Sequence, residues 1–529
     1  MSLRLNVPAL EDNPAIPAEV RPKAVQELIS SLPQGNPRAT ARLLLEELER
    51  LNRQKFSADT RLTALELYRP AILNTVHALS RQYCHQPLPL QETAKAQADL
   101  TLALFNELAI GYKQAILSEE DRLFTLGDNN QLAMLLQRAM DALGRLLRVH
   151  HLTYSHPAPG VWSELHLLYL HALQLSIQNL AVPDDQSESS INIVYKHALL
   201  LALASPAHLN SIDIERTIQY LDHFANLSQL HPLMNPEKPA GVFLVELKSD
   251  LPPTPLVKNA KDADPRTDIL LITIELARQV HQHISSLQAG ASAAIPGLPD
   301  EARLDQRYRD LLQHLLKHWG NPPKRGFQRS QKTAVIEMCV GIAAIHHFLK
   351  LEASQSDNAA RNQATDVTLN FATSPIDSGG GSIFKAARWM VTNESPGGFS
   401  LKKPLPAQES LRIGELLGLK PDHAHRWGLA IVRWASSDEG SPLQVGAQMI
   451  APGAEAVTLH FKEDLPTQSG LLLPEITALK QPATLVAARG LYKPARTLQL
   501  EENGKLTDIM LTRLVERTHN VERFQFSRL

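Results

Sequence analysis

Asn393-Glu394-Ser395-Pro396-Gly397-Gly398-Phe399-Ser400-Leu401 follows an apolar run from Ala386 to Val391 and decides how the C-terminal part of this chain is read. The proline and paired glycines predict a turn between two strands. An amide and a hydroxyl stand two positions apart beside glycines, which take φ > 0 freely and let a ligand approach the backbone. Upstream, Lys324-Arg325-Gly326-Phe327-Gln328-Arg329 places two guanidiniums four residues apart in a proline-led, non-helical segment. A guanidinium offers a planar fork to phosphate oxygens or to guanine O6 and N7, and a flat face for stacking.

Working outward, Trp319-Gly320-Asn321-Pro322-Pro323 is the clearest domain boundary, because no helix continues through it. Beyond it the apolar period changes from 3.6 to 2. Strands are predicted at about 333–340, 385–392, 399–402, 413–419, 427–435 and 443–450, and 342–349 as a short helix. In the last strand Gln444, Gly446 and Gln448 alternate with Val445, Ala447 and Met449, as on a half-buried antiparallel strand. Short strands at this spacing predict a small barrel. Residues 352–383, rich in Ser, Ala, Asn, Asp and Gly, predict a disordered insertion. Residues 461–529 predict a β-rich extension or second small barrel, with one helix near 505–518.

Before the boundary the pattern is helical. Phe105, Leu108, Tyr112 and Ile116 recur on one face, as do Leu132, Leu136, Ala139, Leu143 and Leu147. Helices are predicted at about 58–84, 161–180, 192–204, 211–228, 267–287 and 300–318, with a short strand at 241–247. Residues 1–36 are proline-rich and predict a loosely ordered lead-in. The expected architecture is α+β and multidomain: an all-α helical array over 37–319, solenoid or tetratricopeptide-like though without a fixed repeat, then an antiparallel β-barrel over 320–460.

Composition excludes several classes of function. With 53 basic and 55 acidic residues, neither sign in a long block, bulk charge gives no case for nucleic acid or an anionic membrane as partner. The longest apolar stretches fall short of a span and no secretion signal opens the chain, which predicts a cytoplasmic protein. Cys84 and Cys339 sit far apart in apolar contexts and predict buried free thiols. His150-His151 and His346-His347 lack the accompanying ligands of a metal site, so no metal and no cofactor is expected. Gly379-Gly380-Gly381 lacks the Lys-Ser/Thr of a phosphate loop, and no catalytic constellation is present.

The arginine pair and the serine-glycine stretch form R-x-x-x-R followed by [D/N]-x-S-x-x-G. R-x-x-x-R also occurs at Arg38/Arg42, Arg303/Arg307 and Arg513/Arg517, all in helical patterns, whereas Arg325/Arg329 directly precedes a strand. Order and context thus carry the signal, which resembles that of PilZ domains. Ile413-Gly414-Glu415-Leu416-Leu417-Gly418-Leu419, Gly428 to Trp434, and Leu443 to Gln448 are similar to that family's following strands. The resemblance covers about 320–460. It implies a β-barrel of PilZ type that binds cyclic di-GMP through Arg325, Arg329, Asn393, Ser395 and Gly398, with Lys324 and Gly397 in support. It also implies a non-enzymatic receptor whose helical region contacts an unidentified protein partner. Two departures stand out: a long gap between Arg329 and Asn393, and Asn393 where Asp is commoner. The alternative reading is a helical adaptor with a degenerate, non-binding barrel.

Overall fold

The computed structural model describes residues 3–12, 14–120, 129–184, 188–233, 240–256, 264–289, 294–321, 330–363, 384–403, 410–422, 424, 426–438, 440–461, 466–475 and 481–529, with backbone alone for 120, 332 and 356–363. The chain divides into two compact units, Met1–Gln86 with Leu90–Lys324, and Pro87–Pro89 with Arg325–Leu529.

The first unit is helical: α1 (Pro22–Ser31), α2 (Pro37–Asn52), α3 (Ala58–Tyr83), α4 (Glu92–Glu120), α5 (Asn129–Thr153), α6 (Val161–Gln174), α7 (Ile191–Leu203), α8 (Ser211–Phe224), α9 (Ile274–Gln288) and α10 (Gln306–Gly320). Their starts follow local chemistry. Asn36, Ser57, Ser190 and Asn210 each accept a backbone N–H of the first turn, which satisfies a donor the helix leaves open. A short hairpin, β1 (Val182–Pro183) with β2 (Glu188–Ser189), lies between α6 and α7. A four-stranded sheet, ordered β3 (Gln229–Pro232), β6 (Ile269–Ile272), β4 (Val242–Val245) and β5 (Thr254–Pro255), completes the unit.

Two expectations are corrected here. The 267–287 helix begins only at Ile274, because Ile269–Ile272 is a buried strand of that sheet. The described residues of the 1–36 lead-in are packed rather than loose: α1 buries Val25 fully, and Gln54 accepts from Ala18 N at 2.9 Å and donates to Ile16 O at 2.8 Å.

A buried polar network ties α3, α5 and β1. Arg69 reaches Asp184 at 3.1 Å and Asp141 at 3.5 Å, and Arg138 reaches Glu66 at 3.2 Å. Burial pushes the Asp141 pKa up, but Arg145, Arg148 and Arg69 outweigh it and hold the carboxyl at about 2.

The second unit holds two closed barrels. The first comprises β7 (Ser330–Val340), β8 (Ala387–Ser395), β9 (Gly398–Lys403), β10 (Leu416–Pro421), β11 (Gly428–Ser436) and β12 (Leu443–Ala451), with α11 (Ile342–Gln363) inserted between β7 and β8. The second comprises β13 (Glu455–His460), β14 (Gln468–Leu473), β15 (Thr484–Ala488), β16 (Thr497–Glu502), β17 (Lys505–Arg517) and β18 (Val521–Arg528). Around the rings the strands follow β7-β8-β9-β12-β11-β10 and β13-β14-β15-β18-β17-β16. Numbered one to six within each barrel, both rings run 1-2-3-6-5-4.

α11 packs between the barrels. Ala344, Ile345 and Leu349 share one core with Leu416, Leu429 and Ile431 of the first barrel and Leu471, Leu473, Val486 and Val521 of the second. Strand β10 is therefore buried on both faces and reads as a continuous apolar run. Gly418 lets the helix close in: a Cβ there would stand 2.7 Å from Cys339 Sγ and 3.0 Å from Ile345 Cγ1. His346, buried on the same helix, bonds through Nε2 to Val457 O at 3.1 Å.

Three further expectations are corrected. Residues 352–363 continue α11 rather than opening a disordered insertion, and 364–383 lie outside the described residues. The helix expected near 505–518 is β17, which also places Arg513 and Arg517 on a strand. Asn393 to Ser395 belong to β8, and the turn shrinks to Pro396-Gly397. Among the described residues, no helix is long and apolar enough to cross a membrane.

Candidate functional site

Strict alternation along β8 would carry Asn393 and Ser395 into the barrel, because Trp389 and Val391 are buried. A bulge prevents this. Val391 pairs with Leu401, but Asn393 pairs with Ser400, so Thr392 is the extra residue. The same bulge lets Thr392 Oγ1 donate to Ser400 Oγ at 2.9 Å. Asn393 and Ser395 thereby move to the outer face that Ser400 and Lys402 occupy. β7 carries a matching irregularity between Gln331 and Ala334, which keeps Gln331 opposite Asn393. Bulges re-aim side chains in just this way at strand ends beside sites.

The register then lines up one row across five strands: Gln331, Asn393, Ser400, Gly446 and Trp434. Paired residues share a face, so Trp434 stands on the same outer surface as Asn393. Its indole covers Gly446, where a Cβ would lie 1.8 Å from the ring nitrogen. The next row holds Ser395, Gly398 and Gln448. Ser395 Oγ donates to Gly398 O at 3.3 Å. The Asn393 amide makes no hydrogen bond among the described residues.

Gly398 has a structural reason of its own. Its φ is +149°, and a Cβ would sit 2.0 Å from Ala447 O. Gly397 accepts from Met449 N at 3.0 Å. Lys324, Arg325 and Arg329 lie outside the described residues. Their sequence position is informative nevertheless: Ser330, bonded directly to Arg329, pairs with Glu394, and its Oγ donates to Glu394 O at 3.3 Å.

Sequence reasoning did not single out Thr392, Ser400, Gln448 or Arg433 as part of this face, and it placed Trp434 only at the end of a family-like strand. No residue pattern marks a bulge, and the row exists only once strand register is known. Among the described residues, no three His, Cys, Asp or Glu side chains cluster as metal ligands.

Three domain models of one family together match the chain from residue 23 to residue 529, with two short gaps. The cyclic-di-GMP receptor FimW N-terminal domain matches residues 23–237, the middle PilZ domain of that receptor 242–378 and 381–456, and the FimW C-terminal beta-barrel domain 454–529. The chain belongs to this family. It is also 28% identical to the cyclic-di-GMP receptor FimW of Pseudomonas aeruginosa, over 99% of this chain and 93% of that protein. The middle PilZ match begins at residue 242, within the helical unit, whereas the first barrel strand begins at Ser330. The C-terminal match coincides with the second barrel.

Proposed function

We propose that this chain is a non-enzymatic receptor for cyclic di-GMP, which it binds on the outer face of the first barrel. Arg325 and Arg329 take phosphates and guanine edges, with Lys324 adding charge beside them. Asn393 and Ser395 hold a guanine edge or a phosphate from the sheet, while Gly397 and Gly398 let the backbone approach. The observation that carries the reading is the bulge at Thr392. It turns both polar side chains of the motif outward, at the strand end where Ser330 tethers the arginine segment. Trp434, in the same row, offers a flat face for a base.

Likeness to a protein named as a receptor for this ligand supports the reading. As receptor of an intracellular second messenger the chain works in the cytoplasm, and the helical unit presents the surface for a protein partner.

Titration calorimetry with the full chain tests it. Arg325→Ala and Arg329→Ala each remove charge-assisted contacts worth about 1.5–3 kcal/mol, more than roughly tenfold in affinity. Arg303→Ala is the control and stays within about twofold. No heat and no saturation with wild-type chain at high micromolar ligand would sink the proposal. That result would favour the second reading, an adaptor with a non-binding barrel, for which the Gly398–Ala447 contact already explains the motif's last glycine without a ligand.

A further inference from the structure

Arg433 belongs to neither motif, but the fold brings it to the same face. It is the extra residue of a bulge in β11, between the pairs Val432–Ala447 and Trp434–Gly446. Its Nε donates to Gln448 Oε1 at 2.6 Å. Gln448 pairs with Gly398, which pairs in turn with Ser395. Its Nη2 is ion-paired with Glu516, which lies at a register shift of β17 in the second barrel. Its Nη1 makes no hydrogen bond among the described residues.

A guanidinium has five N–H donors. The two anchors engage one each on Nε and Nη2, and the rest of the fork stays open beside the serine-glycine row. At about 4.8 Å per strand, Gln448 lies roughly 10 Å from Ser395, within the span of a cyclic dinucleotide seated there. The side chain is about a third exposed, so solvent and ligand reach it.

We propose that Arg433 is a third ligand-binding arginine of this face, directed at a phosphate of the cyclic dinucleotide. Glu516 is its positioning residue, so the second barrel completes the site on the first. The inference rests on the receptor reading above and deepens it.

Calorimetry on the full chain with cyclic di-GMP decides it. Arg433→Ala is expected to weaken binding by about tenfold or more, and Glu516→Gln by a few-fold, with stoichiometry unchanged. Arg433→Lys keeps a cation without the fork and is expected to fall between wild type and Arg433→Ala. The double exchange Arg433→Glu with Glu516→Arg restores an inter-barrel ion pair with its charges reversed. It is expected to return the unfolding midpoint toward wild type while leaving the affinity at the Arg433→Ala level. If that exchange recovers wild-type affinity, or Arg433→Ala binds like wild type, Arg433 is a structural bridge and the proposal falls. Arg325→Ala separates the two readings. Loss of binding there with none at Arg433 overturns this inference alone, and no binding by wild type overturns both.

Discussion

A side chain at Gly398 would drive its Cβ to 2.0 Å from the Ala447 carbonyl oxygen, on a backbone whose φ of +149° already disfavours any side chain. Gly398→Ala is therefore expected to destabilise the barrel unit by about 3 kcal/mol, read as a fall in its denaturant midpoint. Lost ligand binding in that variant would say little about contact. Asn393 is the cleaner probe, since its amide is unengaged by the described residues. Asn393→Asp exchanges a neutral acceptor for a charged one, so the guanine amino edge gains about 1 kcal/mol, or roughly fivefold in affinity. An unchanged or weaker titration would remove Asn393 from the base contact. The two thiols behave oppositely to a reactive site: burial pushes both Cys84 and Cys339 up to about 12. Neither is expected to react with a disulfide reagent until the chain unfolds. These residues, and the motif spacing, were legible in the sequence. The outward turn of Asn393 was not, because it depends on the strand opposite.

Among the elements, the strands that escaped sequence reading share one cause. In β17, Ile509 and Leu511 point into the barrel, then register shifts at Leu511/Arg513 and Leu514/Glu516 break the alternation. What remains mimics a helical period. Ile269–Ile272 is a four-residue apolar run, which periodicity alone does not distinguish from a buried helix end. α11 was legible only at its start, since its apolar face lies over Ala344, Ile345 and Leu349 while the polar residues beyond 352 resemble an insertion. That buried face carries the link between barrels, so Ile345→Ala is expected to cost about 2–5 kcal/mol, seen as a lower midpoint for the unit. The polar network of the helical unit gives a pH prediction. Asp141 has a folded pKa of about 2 against an ordinary 3.8, so its contribution is present above pH 4. It is lost as pH falls toward 2, because protonation then costs the folded state its ion pairs. Acid titration of Asp141→Asn should show a flatter stability profile between about pH 4 and 2 than wild type does.

At the scale of the whole molecule, the two barrels share one ring order, but only the first carries the motif pair. A second small barrel is among the readings the sequence offers for 461–529, but nothing there marks the shared ring order: residues 450–454, before β13, hold no arginine, and 474–483, between β14 and β15, hold no serine-glycine motif. Topology is set by which strands close the ring, and many sequences satisfy the same closure. Each chain is therefore expected to have one binding face, with saturation abolished by Arg325→Ala combined with Arg329→Ala. The barrels should nevertheless answer the ligand together, because α11, the core from Leu416 to Val521 and the Arg433–Glu516 pair join them. A ligand that binds the folded state alone stabilises it by RT ln(1 + [L]/Kd), about 2.7 kcal/mol at a hundredfold excess over Kd. Hydrogen exchange with and without cyclic di-GMP reads where that stabilisation goes. Slower exchange is expected in β8 and β9, and also in β13, β14 and β17 of the barrel that binds nothing itself. Protection that stops at β12 would mean the shared core does not couple the barrels, and the second would then be a passenger on the first.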